Sequence, residues 1–297
     1  MDRFRLLCRL QALDEQLQRW RSSGRVAFSL PLLGDAAVSL TPRALAPGDW
    51  CFPTARQFAG AMLARGGTWP QLLGQLLGSQ WDPCKGRPLP LHGVAPALGV
   101  YGGGSSGTAH LLQAVGAAWA LAQEPQGRVV LALLGPTAAQ SGAFLQALQL
   151  AVAWRAPILF VARVAVAPSF ATLAGVAPCQ LVDGQGVDAV LDAVREARQR
   201  VVASGGPVLV AAAGEADGAG DDPVGHYGEL LAAQGAASAR ELATMANEER
   251  AELRAAVHEA EAVVPWPAAS VGEGVWGDPT LEPPAHPRGS LAAREQT

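Results

Sequence analysis

Arg128-Val129-Val130-Leu131-Ala132-Leu133-Leu134-Gly135-Pro136-Thr137 is the stretch from which the fold is read. Its apolar, β-branched run between Gly127 and Gly135 predicts a buried strand, and Gly135-Pro136-Thr137 predicts a turn. Residues 143–154 then carry apolar side chains at helical spacing, with Gln146 and Gln149 on one side. Pro157 closes that helix, and Ile158-Leu159-Phe160-Val161 predicts a second buried strand. Strand, helix, strand in this order is a βαβ unit, so the sheet is parallel and covered by helices. Ligands of such sheets gather beyond the carboxyl ends of the strands, here the turns at Gly135 and at residues 162–165.

Outward from this unit, residues 2–21 form an amphipathic helix ended by Gly24, and residues 32–37 begin another. Residues 47–50 read as a turn, 54–65 as a helix, and 81–92 as a loop. A Gly/Ser turn at 102–107 leads into a helix over 110–123. A strand at 179–183, a helix at 187–203 and a strand at 207–212 complete an α/β core. Residues 227–263 read as one helix, and the Pro-rich end as loosely ordered. Trp266 and Trp276 in that end are expected to dock on a neighbour, because solvated coil seldom retains tryptophan. Asp14 and Glu15 read as a solvated helix face, and Glu248, Glu249, Arg250, Glu252 and Arg254 as a charged one.

Composition narrows the function. The chain has 297 residues, enough for a substantial core, and its net charge of −4 leaves no basic footprint for nucleic acid. Hydrophobic residues make up 49% and charged residues 16%, which points to a surface partly covered by a partner. Cys8, Cys51, Cys84 and Cys179 show no CxxC spacing, so neither zinc nor disulfides are expected and a reducing cytoplasm fits. No signal-peptide core and no membrane span are read from the sequence.

Several blocks, in unbroken order over residues 3–225, resemble the α subunit of the thiamine-diphosphate-dependent E1 component of 2-oxo acid dehydrogenases. Leu33-Gly34-Asp35-Ala36-Ala37 is similar to that family's Gly-Gln-Glu-Ala helix start. Pro47-Gly48-Asp49-Trp50 with Phe52-Pro53-Thr54-Ala55-Arg56 resembles its PGD…YR segment, and Lys85-Gly86-Arg87 through His92 its KGR…MH loop. Gln113-Ala114-Val115-Gly116-Ala117-Ala118 matches its QAVGAA helix. Val182-Asp183-Gly184, Gly206-Pro207 and Asp221-Asp222-Pro223 match later landmarks. The resemblance implies an α/β, thiamine-diphosphate-binding fold with a mostly parallel sheet flanked by helices. It also implies oxidative decarboxylation of a 2-oxo acid, acyl transfer to a lipoyl carrier, and an E1-β partner in an α₂β₂ assembly, with a homo-oligomer as the alternative. The expected organisation is a domain of this type over 1–225, a helical segment over 226–264 and a tail over 265–297.

The family's cofactor signature is altered. Where it has Gly-Asp-Gly, followed after a helix and strand by Asn-Asn, this chain has Gly135-Pro136-Thr137 and Val164-Ala165. A divalent cation bridges diphosphate to an Asp carboxylate and an Asn amide oxygen, and neither Pro136 nor Ala165 offers a side-chain oxygen. Pro136 also removes a backbone N–H. The family's catalytic-loop histidine falls on Asp217, and the Tyr before Arg56 is Ala55. Other positions remain: by resemblance Arg56 and Arg163 are diphosphate-binding, Gly135 and Thr137 belong to the cofactor turn, and Ser105 faces the aminopyrimidine. His92 stands at the KGR-loop histidine and is the candidate acid–base residue. The two arginines could instead pair with carboxylates or water, and His92 between prolines could be structural. Two classes follow: an active enzyme subunit with an altered cofactor site, or a non-catalytic member in which thiamine diphosphate and Mg²⁺ binding is lost.

Overall fold

A computed structural model describes residues 1–102, 107–124, 127–164, 175–214 and 222–272. The predicted βαβ unit is its centre. Strand β4 (Val130–Leu134) is buried at every position, as is β5 (Ile158–Val164), which explains why both runs are apolar without alternation. They pair in parallel from Val130 opposite Ile158 to Leu134 opposite Ala162. Five further strands, β1 (Trp50–Phe52), β2 (Val94–Ala95), β3 (Val100–Tyr101), β6 (Cys179–Asp183) and β7 (Val208–Ala213), extend the sheet to the order β2-β3-β1-β4-β5-β7-β6. All pairings are parallel except β2 with β3.

The strands divide the core into two layers. Leu131, Leu133, Leu159 and Val161 pack towards α1 (Asp2–Ser22), α2 (Ala36–Ser39), α3 (Ala55–Ala64) and α4 (Trp69–Leu77). The same layer holds α8 (Val187–Ser204), α9 (Pro223–Ala233) and α10 (Ala239–Ala262). Val130, Ala132, Leu134 and Phe160 face α5 (Ala109–Leu121), α6 (Pro136–Ala139) and α7 (Gly142–Ala153). Sheets with helices on both faces are the doubly wound class.

Asp49 ties the amino end of the sheet together. Its carboxylate is buried, accepts from Ala46 N at 2.8 Å and Val129 N at 2.9 Å, and meets the Arg198 guanidinium through both oxygens. One side chain thus joins the start of β1, the start of β4 and α8.

Several elements differ from the sequence reading. Gly135-Pro136-Thr137 is not a free turn: Gly135 is the N-cap of α6 and Pro136 its first residue, where a missing N–H costs no helical bond. β5 runs on to Val164 through residues read as a turn. The helix read over 227–263 is two, separated where Gly235 takes φ +66° and Ser238 forms a capping box with Glu241. Asp14 is not solvated; it is buried and accepts from Leu32 N at 2.7 Å and Gln18 Nε2 at 2.8 Å. Glu249 is buried too, bridging Arg5 and Arg9 of α1, so much of the charged face of α10 is an inter-helix seam. Trp266 docks on its own chain, and Trp276 lies outside the described residues. No described helix is long and apolar enough to cross a membrane.

Candidate functional site

The switch point of the sheet lies between β1 and β4. From β1 the chain passes through α3 and α4 in one layer to β3, then through α5 in the other layer to β4. The connections leaving the carboxyl ends of β1 and β4 therefore diverge to opposite faces and open a crevice. Thr54 and Gln57 cap α3 beyond β1, which places the half-buried Arg56 in its first turn. Across the crevice, Gly135 and Pro136 open α6 beyond β4, and Thr137 is exposed there.

His92 reaches the same edge by another route. β2 runs antiparallel to β3, so the residues before Val94 lie beside Tyr101, and Gly102 N donates to Gly93 O at 3.0 Å. The His92 Nδ1 lies 2.9 Å from Pro90 O; a carbonyl only accepts, so Nδ1 carries the proton and Nε2 is the basic end. The ring packs on Phe28 at 5.3 Å.

Arg163 is also at the carboxyl edge, but on the α1–α8 layer, in phase with Leu159 and Val161. It is 2% exposed and Nη1 donates to Gly184 O at 3.3 Å. Gly214 lets the guanidinium lie close to the backbone: a Cβ there would come within 2.9 Å of Arg163 Nη2 and push it aside. The arginine thus packs against Gly184 and Gly214, which follow β6 and β7. Ser105, Ala165 and Asp217 lie outside the described residues.

One residue at this edge escaped the sequence reading. His110, in the first turn of α5, is fully buried and its Nε2–H donates to Leu133 O at 2.8 Å, two residues before Gly135. Its Nδ1 has no partner among the described residues. Burial holds its pKa below the ordinary 6.5, opposed by the bond to Leu133. The sign follows from linkage: below pH 6.5 the unfolded chain takes up a proton that the folded chain refuses, so stability falls with pH. The expected loss is at most about 1.4 kcal/mol per pH unit. Unfolding midpoints of wild type and His110→Gln, measured from pH 7.5 to 5, should diverge, with the variant flatter; parallel curves would contradict it.

The other face of the site region carries no charge. α5 and α7 contain no Asp, Glu, Lys or Arg, and they present Leu112, Trp119, Leu145 and Val152 to solvent. Trp119 and Trp154 are 47% and 45% exposed, with ring centroids 5.6 Å apart. Large apolar side chains exposed on uncharged helices are a feature of interaction sites.

A doubly wound sheet with a crevice at its switch point defines a broad class of α/β proteins. Within it, residues 5–214 match the model of the dehydrogenase E1 component, and the chain belongs to that family. It is similar to the mitochondrial 2-oxoisovalerate dehydrogenase subunit alpha 1 of Arabidopsis thaliana, 28% identical over 68% of this chain and 46% of the relative. Its counterpart in Caenorhabditis elegans is 29% identical over 70% of this chain and 52% of the relative. The mitochondrial pyruvate dehydrogenase E1 component subunit alpha of Solanum tuberosum is 27% identical over 60% and 48%. The chain spans about half the length of these curated relatives.

Proposed function

We propose that this chain is an E1-α-type subunit that has lost the metal-dependent grip on thiamine diphosphate and serves as a non-catalytic partner. The observation that carries this reading is Pro136 at the first position of α6, beyond the carboxyl end of β4. The family depends on thiamine diphosphate and Mg²⁺, and resemblance puts a carboxylate ligand at this position. Proline offers neither a side-chain oxygen to a hard cation nor an N–H to a phosphate. The donor set of the described edge therefore does not fit a Mg²⁺-bridged diphosphate, and Ala165 supplies no oxygen at the second ligand position.

E1 α subunits of the family generally pair with E1 β. The uncharged face of α5 and α7, with its two exposed tryptophans, supports an E1-β-like partner in an α₂β₂ assembly, or else a second copy of this chain. Four unpaired thiols, two of them buried, support a reducing, cytoplasmic setting. The same reading divides the chain into an E1-α-type unit over 1–225, a helical segment over 226–264 and a tail over 265–297.

The second reading is an active α subunit with an altered site and an E1-β partner. Arg56 and Thr137 at one edge favour it, since a guanidinium and a hydroxyl can both hold phosphate oxygens. The two readings separate on a gain-of-function experiment. The triple variant Pro136→Asp, Thr137→Gly and Ala165→Asn restores both ligand side chains, and an Asp in the first turn of α6 also suits the helix dipole. The variant is expected to bind thiamine diphosphate only with Mg²⁺, whereas the wild type binds none. Equal binding by both proteins would overturn the loss.

A further inference from the structure

The loop over residues 78–92 is held in a conformation that it would not keep by itself. Gly78 ends α4 at φ +61°, and two non-glycine residues, Lys85 and Leu91, stand in the left-handed region at φ 57° and 70°. Such backbone persists only where its surroundings over-determine it. Part of the restraint is internal: the buried Asp82 carboxylate accepts from Cys84 N at 2.9 Å and Gly86 N at 2.8 Å.

Gln75 of α4 holds the far end, donating to Leu89 O and accepting from Leu91 N, both at 2.9 Å. The rest of the restraint on residues 78–87 comes from residues that lie beyond the matched family region. After α10 the chain turns back, and Gln80 N donates to Val264 O at 3.0 Å while Trp266 N donates to Gly78 O at 3.2 Å. Ser79 and Pro265 form an antiparallel bridge. The Trp266 indole N–H donates to Asp82 O at 3.2 Å, and the Lys85 ammonium lies 5.6 Å from the ring centroid. Arg87 Nη2 reaches Ser270 O at 3.2 Å. The backbone of residues 78–82 and the Lys85 and Arg87 side chains are thus engaged by one short segment, in part through the Trp266 indole.

We propose that residues 264–270 are an intramolecular clamp that sets the conformation of residues 78–87, the first part of this loop. The first part of the loop that leads to His92 is then set by the chain's own residues 264–270, without cofactor or partner, while Gln75 of α4 holds residues 89–91. That the loop borders a functional site rests on the family reading above; the clamp does not. α10 anchors the clamp, because Arg5 and Arg9 of α1 hold Glu249 of that helix.

Hydrogen exchange on the full chain, with no ligand or partner present, tests it. Trp266→Ala should raise exchange of peptides covering 79–87 by about tenfold or more, with β4 and β5 unchanged. Trp266→Phe keeps the ring face for Lys85 and loses the indole N–H, so its increase should be smaller. Tryptic cleavage at the Lys85–Gly86 bond should accelerate in the same order; Arg87–Pro88 resists trypsin in all three proteins. Unchanged exchange and cleavage in Trp266→Ala, with β4 and β5 intact, would overturn the clamp. If β4 and β5 exchange rose in equal measure in both variants, Trp266 would belong to the global core, which also overturns it. Neither result depends on whether thiamine diphosphate binds.

Discussion

Asp49→Ala is expected to destabilise the protein by about 3–5 kcal/mol, the range for breaking one side of a buried ion pair. The Asp49 side chain is fully buried and that of Arg198 only 21% exposed, so the guanidinium would lose its counter-charge in a site water barely reaches. The amides of Ala46 and Val129 would lose their acceptor in the same step. Asp49→Asn keeps one acceptor oxygen and should recover part of the loss. Urea unfolding of the three proteins reads this directly; a loss below about 1 kcal/mol for the alanine variant would place the pair among the weak surface bridges. The prediction also gives the PGD resemblance a physical meaning. Its Asp holds the amino end of the sheet, far from the candidate site.

Phe160→Ala should cost about 3–5 kcal/mol through lost burial and the cavity left behind. Phe160 is 1% exposed at the middle of β5 and meets Phe144 of α7 edge-on, with centroids 5.4 Å apart. It therefore joins two members of the unit that carries positions 136 and 164. Phe160→Leu should cost less, because a similar volume refills most of the space. Equal and small losses for both variants would show that the α7–β5 seam relaxes freely.

The βαβ centre was legible because β4 and β5 are buried on both faces and so read as continuous apolar runs. β1, β2 and β3 were not, since strands of two or three residues show no period. α4 does carry a sequence signal: Thr68 and Gln71 form a capping box, with Pro70 in the first turn. Asp14 and Glu249 looked solvated because their partners, Leu32, Arg5 and Arg9, are brought to them by tertiary packing that no helical spacing encodes. At the site, resemblance selected residues that the fold does place at one edge, Arg56, His92, Gly135, Pro136 and Thr137. Sequence order could not show that Arg163 is buried against Gly184 and Gly214, because the residues that pack on it come from the ends of distant strands. His110 left no motif; its role rests on one bond to a carbonyl of the neighbouring strand.

The most direct measurement is calorimetric titration of thiamine diphosphate with Mg²⁺ into the purified protein, alone and in complex with an E1-β-like partner. Loss of the metal grip at Pro136 and Ala165 predicts no Mg²⁺-dependent heat in either setting, with the complex intact. Micromolar binding that requires Mg²⁺ would contradict the account and return the chain to the active members of its family.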